Sequence, residues 1–369
     1  MYDLSTRIST FHNQQVRLSN NQRADMKRRR ETNLGRIEKG LEELEKSAFK
    51  ETINQGGYAQ NTMTQPPESD QGSQFDIDLG IVFDHDEANG PRTTRDWVRQ
   101  AIACNATNMN NDPVTKKKCV RVVYADGFQC DFPVFRRHRT DAGWHYELSS
   151  GDEWVASDPA AMNQWIEREI SWKSPEASGS YQLRRIIRFG KFFSKTHAAR
   201  LKRSFPGGLV ATALFVECYT VDACRDDRSF RETLRSLSLR SKYTPVYANG
   251  VQVSDDKDTD RIGRLIDQAK DSVKELDKLD ADDTTESDAN KIWKTVFRHS
   301  FFDDASKNAE NSSSAPLETK SALAGAGLAA PFLASKAAAA LSDSEKQSRM
   351  EAAVSARKES GSGGKPWAE

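Results

Sequence analysis

FDIDLGIVF, residues 75–83, alternates in polarity in the manner of a β-strand with one buried face, and the other motifs are arranged around it. Apolar side chains occupy the odd positions, and Asp76 and Asp78 stand on the opposite face. Residues two apart on a strand point the same way, so the two carboxylates leave that face about 7 Å apart. Such a pair is repulsive unless a cation lies between its members, and Mg²⁺ suits these ligands. The alternative is a solvated outer face of an edge strand.

A third carboxylate, Asp131, lies within FQCDFPVF, residues 128–135, where an unpaired charge among apolar neighbours would be costly. This segment and residues 119–124 flank the turn Ala125-Asp126-Gly127, which predicts a β-hairpin. An antiparallel neighbour strand is expected to bring Asp131 beside the first two carboxylates. Three carboxylates around two metal ions are the arrangement used for in-line nucleotidyl transfer. We therefore predict that these three aspartates are both metal ligands and catalytic residues.

Helical patterns surround the predicted strands. Ser19 and Gln22 are spaced as a capping box, and the apolar residues that follow at helical intervals predict a long opening helix. Residues 183–195 combine an apolar helical face with a basic one, and Phe205-Pro206-Gly207-Gly208 then breaks the helix. The second half is therefore predicted to be helical.

The chain is predicted to be an α+β protein, and its 369 residues are enough for two domains. Residues 1–180 form the predicted α+β half, including the amino-terminal helix, and residues 181–305 form an α-helical domain, with Asp226 or Asp227 expected to cap one of its helices. Residues 306–369 are rich in Ser, Ala, Gly and Lys, a composition that cannot bury a core and that predicts a disordered tail.

Composition limits the classes of function. The 54 basic and 54 acidic residues cancel, so the whole chain has no overall attraction for nucleic acid or for an anionic membrane. The sequence contains no secretory signal and no convincing membrane span, so we expect a cytoplasmic protein with no membrane partner. The five cysteines form no CxxC pair, which predicts free thiols in a reducing compartment. The alternative is a zinc site built from Cys104, Cys119, Cys130 and His138.

The order of the motifs resembles that of a known family. Gly56-Gly57, a variable loop, Asp76-Ile77-Asp78-Leu79-Gly80 and Cys130-Asp131-Phe132-Pro133 follow one another as in the cGAS-like bacterial nucleotidyltransferases, or CD-NTases. These relatives of cyclic GMP-AMP synthase and oligoadenylate synthase act in anti-phage signalling. The resemblance runs from the opening helix to about Phe302. It implies a polymerase-β-like nucleotidyltransferase core fused to a carboxy-terminal α-helical, oligoadenylate-synthase-like domain that closes the nucleotide cleft.

The activity implied by the resemblance is the joining of nucleoside triphosphates, ATP and GTP, into a cyclic oligonucleotide such as cyclic GMP-AMP, with release of pyrophosphate. Two Mg²⁺ ions are the expected cofactors, with Mn²⁺ as the alternative ion, and a downstream effector would bind the product. One alternative keeps the chemistry but makes a linear oligonucleotide or extends a tRNA end, and the balanced net charge argues against an RNA substrate. The other is a scaffold with an inactive site, which the three intact aspartates disfavour.

The resemblance also indicates residues that bind phosphate. The family carries Gly-Ser at the turn that holds the donor triphosphate, whereas this chain has Gly56-Gly57 followed by Tyr58. Gly72-Ser73 spells the dipeptide, but it lies too close to Asp76 to leave room for the intervening helix and loop. The backbone N–H groups of a glycine turn can still bind phosphate oxygens. The expected nucleotide-binding residues belong to this turn and to the basic helical face: Gly56, Gly57, Tyr58, Arg188, Lys191 and Lys195. A solvated basic face is the alternative for the last three.

The tail resembles a segment with a partner of its own. In some members of the family, a flexible carboxy-terminus is handed to a ubiquitin-activating-like partner and conjugated to other molecules. Residues 361–369 form a comparable peptide, in which Trp367 is the candidate anchor in a partner pocket. The alternative is an idle linker.

Truncation at Asn308 is expected to leave nucleotide synthesis in vitro unchanged, because the removed residues contribute no core. Product formation and the circular dichroism melting curve of the truncated and full chains measure this directly. If the partner hypothesis holds, the same truncation abolishes conjugation in cells and weakens defence. A truncated protein without catalytic activity would show that the tail assignment is wrong.

Overall fold

A mixed sheet of seven strands, counted within the described residues, forms the centre of the amino-terminal half. The computed structural model describes residues 1–70, 75–106, 112–175 and 181–303. The predictions on Gly72-Ser73 and on the tail 306–369 therefore lie outside the described residues. The strands are β1 (Glu51–Gln55), β2 (Asp76–Asp84), β3 (Val114–Thr115), β4 (Cys119–Val123), β5 (Gln129–Thr140), β6 (Gly143–Ser150) and β7 (Glu153–Ala156). The helices of this half are α1 (Ser5–Phe11), α2 (Asn20–Glu43), α3 (Gly56–Ala59), α4 (Pro91–Cys104) and α5 (Ala161–Lys173).

Strand pairing brings distant segments together. β2 pairs with β1 in antiparallel fashion on one side and with β5 in parallel fashion on the other. The second edge of β5 is shared by β4, along its first half, and β6, along its second half. β4 and β5 are antiparallel about the turn at Asp126, so the predicted hairpin is confirmed.

The parallel pairing of β2 with β5 corrects the sequence-based expectation of an antiparallel neighbour for Asp131. The antiparallel position beside β2 is taken by β1. Two parallel strands need a crossover connection, and helix α4 with β3 and β4 supplies the chain between them. Asp131 of β5 is therefore brought beside Asp78 of β2 by this crossover and not by a hairpin.

Helices α2 and α4 cover one face of the sheet. The capping box at the start of α2 is confirmed, since Ser19 Oγ accepts from the Gln22 N–H at 3.1 Å and Gln22 Oε1 accepts from the Ser19 N–H at 2.8 Å. Ile37 of α2 and Val98 of α4 share a buried cluster with Ile77 of β2. Helices α2 and α4 therefore hold β2 in place through its apolar face.

The second half is helical, as predicted. Its helices are α6 (Gln182–Leu201), α7 (Gly208–Cys218), α8 (Asp226–Ser238), α9 (Asp258–Asp277) and α10 (Glu286–Phe297), with a small hairpin of β8 (Tyr247–Ala248) and β9 (Val251–Gln252). The predicted break at 205–208 separates α6 from α7. Among the helices described, none has the combined length and apolar composition that a membrane crossing requires.

The first sixteen residues pack with this helical half. Ile8 and Phe11 are fully buried in the same cluster as Phe297, and the rings of Phe11 and Phe297 lie 4.9 Å apart. Ile166 and Ile170 of α5 belong to that cluster too. The sequence assigns these segments to residues 1–180, so their packing crosses the predicted partition, and the boundary at 180/181 stays a prediction.

Asp226 and Asp227 are not caps of α8, contrary to expectation. Arg225 occupies the N-cap position, and no side chain caps the helix. Asp226 instead binds Arg185 through contacts of 2.5 and 2.9 Å, and the buried Asp227 binds Arg225 and the Leu4 N–H. Cations within reach hold these carboxylates more strongly than the helix amides do, because charge-assisted bonds are the stronger ones.

Gly40→Ala is expected to destabilise the protein, because α2 and α4 touch there backbone to backbone. A Cβ added at Gly40 would lie 2.2 Å from the carbonyl oxygen of Ala101, so the helices would have to separate. Overpacking of this kind costs about 1–3 kcal/mol of unfolding free energy. Urea denaturation monitored by circular dichroism measures the loss.

Gly35→Ala on the same helix is the matched control. Its added Cβ would meet no atom within 4 Å, so this variant should gain about 0.5–1 kcal/mol from helix propensity. A change of the same sign in the free energy of unfolding of both variants would contradict the close contact at Gly40.

Candidate metal and nucleotide site

β2 presents two carboxylates on the face opposite to the core. Ile77 and Leu79 are each 1% exposed, so the strand's alternation turns Asp76 and Asp78 to the other side. Asp76 is exposed at the strand's start, and Asp78 is half-buried. Neither side chain makes a hydrogen bond or ion pair within the part of the chain that the structure describes. Both carboxylates are therefore available to a ligand.

The parallel register of β2 and β5 completes the group. Asp131 lies directly opposite Asp78, and its side chain is buried. One oxygen from each of Asp76, Asp78 and Asp131 lies within 4.8 Å of the others. The structure thus brings together the three aspartates predicted from sequence as metal ligands.

Burial and the closeness of the three carboxylates make their ionised forms less favourable. Burial raises the pKa of Asp78 to about 7, and the charges of Asp76 and Asp131 act in the same direction. Loss of hydration also raises the pKa of Asp76, and Asp131 adds to the effect. Carboxylate oxygens are the ligands that Mg²⁺ prefers, and a bound cation would relieve this repulsion. The residues present therefore fit a divalent metal.

Arg121 of β4 holds Asp131, and sequence reasoning did not identify it. Its Nε and Nη2 donate to the two oxygens of Asp131 at 2.7 and 2.6 Å, a bidentate arrangement that fixes the carboxylate. Hydrogen bonding to Asp131 raises the pKa of Arg121 further above its usual range. The signal was present, because a hairpin centred on Asp126 sets residue 121 opposite residue 131.

The Gly56-Gly57 turn lies against the carboxylates. Gly56 has φ +61°, and a Cβ there would lie 2.6 Å from Oδ2 of Asp78, so both the backbone conformation and the contact require glycine. A Cβ on Gly57 would lie 3.2 Å from Nζ of Lys191. The turn is therefore situated between Asp78 and Lys191, where a phosphate group bound to its backbone would meet both charges.

Two lysines of α6 face the same region. Lys191 donates to Thr62 Oγ1 at 3.2 Å, and burial lowers its pKa to about 7, with Lys195 and Arg188 acting in the same direction. Burial also lowers the pKa of Lys195, while the carboxylates of Asp70 and Asp76 oppose that shift. Both side chains are half-buried, so the basic face of α6 is not the freely solvated surface of the alternative interpretation.

Arg188 and Tyr58 line a small recess beside the glycine turn. Arg188 is 7% exposed, donates from Nε to the Asn61 carbonyl at 2.7 Å, and has its pKa lowered to about 9 by burial and by neighbouring arginines. Tyr58 is half-buried with the guanidinium of Arg30 over its ring at 5.7 Å. Arg23, which sequence reasoning missed, donates to the Asn61 side chain in the same recess.

The alternative zinc grouping is absent from the described residues. The three aspartates are the one set of carboxylate, imidazole or thiol ligands there that lies close enough to hold a metal. All five cysteines are free, as predicted.

Comparison with known proteins finds matches over the segment that carries this site. A family model described as the nucleotidyltransferase domain of cyclic GMP-AMP synthase DncV-like proteins matches residues 50–135. A curated cyclic GMP-AMP synthase of Escherichia albertii is 26% identical over 142 residues, which make up 37% of this chain and 30% of that protein. The match therefore spans less than a third of that relative's length.

Solved structures resemble the chain over most of its length. Vibrio cholerae DncV with nonhydrolyzable GTP gives a TM-score of 0.64 at 16% identity, covering 80% of this chain and 96% of that one. CdnC of E. coli MS115-1, solved as a CdnC:HORMA-deltaN complex, gives 0.61 at 15% identity and covers 80% and 98%. The Bradyrhizobium diazoefficiens CD-NTase CdnG with GTP gives 0.59 at 13% identity and covers 83% and 98%. Likeness at these identities establishes the fold, and it confirms the predicted fold class. Residues 50–135 thus match the DncV-like nucleotidyltransferase domain, and the chain has the fold of these CD-NTase structures.

Proposed function

We propose that this protein is a metal-dependent nucleotidyltransferase that joins ATP and GTP into a cyclic oligonucleotide second messenger for anti-phage defence. The observation that carries the proposal is the convergence of Asp76, Asp78 and Asp131 within 4.8 Å beside the Gly56-Gly57 turn. DncV and CdnG were solved with guanine nucleotides, which supports nucleoside triphosphates as substrates here.

The three aspartates would hold two Mg²⁺ ions, with Mn²⁺ as the alternative. When bound, the metal would lower the pKa of the attacking hydroxyl and neutralise charge on the α-phosphate. Asp78 is half-buried, and Asp131 accepts two hydrogen bonds from Arg121. These two carboxylates are therefore held in position before a metal ion binds.

The chain's own residues would bind and orient the donor nucleotide. Backbone N–H groups at Gly56-Gly57 would hold its phosphates, and Lys191, Lys195 and Arg188 would offset the charge of the triphosphate and of the leaving pyrophosphate. Lys191 is well placed for this role, because its Nζ lies against the turn.

Asp131 would accept the proton of the attacking ribose hydroxyl. The hydroxyl oxygen forms a bond to the α-phosphorus, and the bond from that phosphorus to pyrophosphate breaks. Each oxygen of Asp131 retains a lone pair beyond the one bonded to Arg121, so the carboxylate remains able to accept. A second reaction of the same kind closes the ring.

Asp76→Asn combined with Asp78→Asn should raise stability in EDTA and abolish nucleotide transfer. The folded protein holds both carboxyls at a raised pKa, so their ionisation costs stability as pH rises from about 4 towards 7. The variant should therefore exceed the wild type in melting temperature at pH 8, and the gap should close towards pH 4. Mg²⁺ with ATP should stabilise only the wild type.

Asp86→Asn is the control for that experiment, because its fully exposed side chain lies just beyond β2. This variant should show neither the gain in EDTA nor the loss of transfer. Full activity in the double variant would rule out the carboxylate site as the metal centre.

The products are expected to be cyclic and resistant to phosphatase. Incubation with radiolabelled ATP, GTP and Mg²⁺, then phosphatase and linkage-specific nuclease digestion, identifies the bases and the linkage. A phosphatase-sensitive ladder would favour a linear oligonucleotide synthase, and label transferred to added tRNA would favour the tRNA-end alternative. No transfer to any acceptor would overturn the proposed function.

A further inference from the structure

A second charged cleft, of about 630 Å³, opens beside the amino-terminal end of α4. It lies between that helix end, the connection from β3 to β4 that contains Lys116 and Lys117, and the turn between β6 and β7 at Gly151. Helix α4 packs on the face of the sheet that carries Ile77, opposite to the catalytic carboxylates. The cleft shares no residue with the carboxylate site.

Arg95 is a buried cation in the wall of this cleft, and no carboxylate of the described residues contacts it. The side chain is 3% exposed, and it donates from Nη1 to Ser149 Oγ at 2.5 Å and from Nη2 to the Gly151 carbonyl at 2.6 Å. Both acceptors are uncharged, and Nε finds no acceptor among the described residues. Buried charges are normally paired, whereas among the described residues this guanidinium has only the charge of Asp152, which does not contact it, to offset its own.

Other groups at the cleft lack partners as well. Thr115 Oγ1 is buried without a hydrogen-bond partner in the described part of the chain. Helix α4 has Gly90 at its N-cap and receives no cap from a side chain of the described residues. Its first residue, Pro91, has no N–H, so the N–H groups of Arg92 and Thr93 are left to solvent or to a ligand. The helix dipole adds partial positive charge at the same point.

The charge of the lining is strongly positive. The lining contains four cationic side chains, those of Arg92, Arg95, Lys116 and Lys117. It contains two carboxylates, those of Asp96 and Asp152. Asp96 is already bound by Arg99 and Gln100, each at 2.6 Å. Asp152 lies 4.0 Å from Arg92, and both of those side chains are 80% exposed, so this contact is weak. Neither Lys116 nor Lys117 forms an ion pair with a described residue.

We propose that this cleft binds a small polyanion that carries phosphoryl groups. Arg95 with its two neutral anchors presents a fixed cation, and the lysines and the helix end surround it with donors suited to phosphate oxygens. The lining residues that the structure describes include no aromatic or aliphatic side chain, so they offer no ring on which a base could stack. The volume falls within the usual range of small-molecule sites, which favours a compact ligand over a polymer.

Calorimetric titration of the full chain with inorganic triphosphate, in EDTA, tests the proposal. Lys116→Ala with Lys117→Ala should weaken binding about ten-fold or more, since two phosphate contacts are lost. These two side chains are exposed, so the variant should fold normally. Arg95→Met should also lose binding, but its melting temperature must be recorded because Arg95 ties α4 to β6.

Lys27→Ala with Lys39→Ala is the matched control, since these exposed lysines of α2 lie outside the cleft. This pair removes the same charge and should leave affinity unchanged. The variant Lys191→Met, at the carboxylate site, should retain the part of triphosphate binding that depends on Lys116 and Lys117.

Three results would overturn the proposal. The first is unchanged binding in the Lys116 and Lys117 variant, and the second is an equal loss in the control pair, which would indicate attraction by total charge only. The third is binding of a single-stranded RNA, lost in the Lys116 and Lys117 variant, with no binding of triphosphate.

Discussion

Parallel pairing of β2 with β5 is the contact on which the carboxylate site depends, because it sets Asp78 opposite Asp131. The pairing is electrostatically unfavourable: burial raises the pKa of Asp78 to about 7, and the negative charges of Asp76 and Asp131 act in the same direction. The apolar faces of the same strands offset that cost. Ile77 and Leu79 are buried against α2 and α4, and a fully buried side chain of this size contributes about 1.5–3 kcal/mol. The core behind the sheet thus holds together charges that would otherwise separate.

Local pattern was enough to predict the elements that carry the site. Alternation in residues 75–83 predicts β2 and the shared face of its two aspartates, and the turn at Asp126 predicts the hairpin that contains Asp131. Both signals are short in range, because each depends on neighbours along one strand or across one turn. The direction in which β2 and β5 meet is a longer-range property, decided by the crossover through α4. Sequence reasoning therefore found the three aspartates but assigned the wrong strand direction.

Partners of charged groups were harder to predict than the groups themselves. Asp226 and Asp227 stand at the start of α8, a position that favours capping, yet Asp226 binds Arg185 of α6 and Asp227 binds Arg225, the residue at the N-cap position. Arg121 could have been paired with Asp131 by extending the hairpin register, because the two lie equally far from its turn. Lys191 lies against the glycine turn because of where α6 packs in the fold, and helical spacing alone carries no information on that packing. The roles of the phosphate-binding residues and the domain boundary at 180/181 stay predictions.

The packing of α1 constrains the order in which the chain can fold. Phe11 lies against Phe297 and Phe302, so the first helix has some of its partners at the far end of the described chain. During synthesis at about 5–20 residues per second, α1 waits roughly 15–60 s before those rings leave the ribosome. In that interval the part of its apolar face that contacts these rings is uncovered, and it is available to chaperones or to premature association. A fragment that stops before α10 would leave that part uncovered permanently, although Phe11 would keep its contacts with Phe189 and Phe192 of α6. All of these partners belong to the helical half, so the sheet half is not a self-sufficient folding unit when it carries α1.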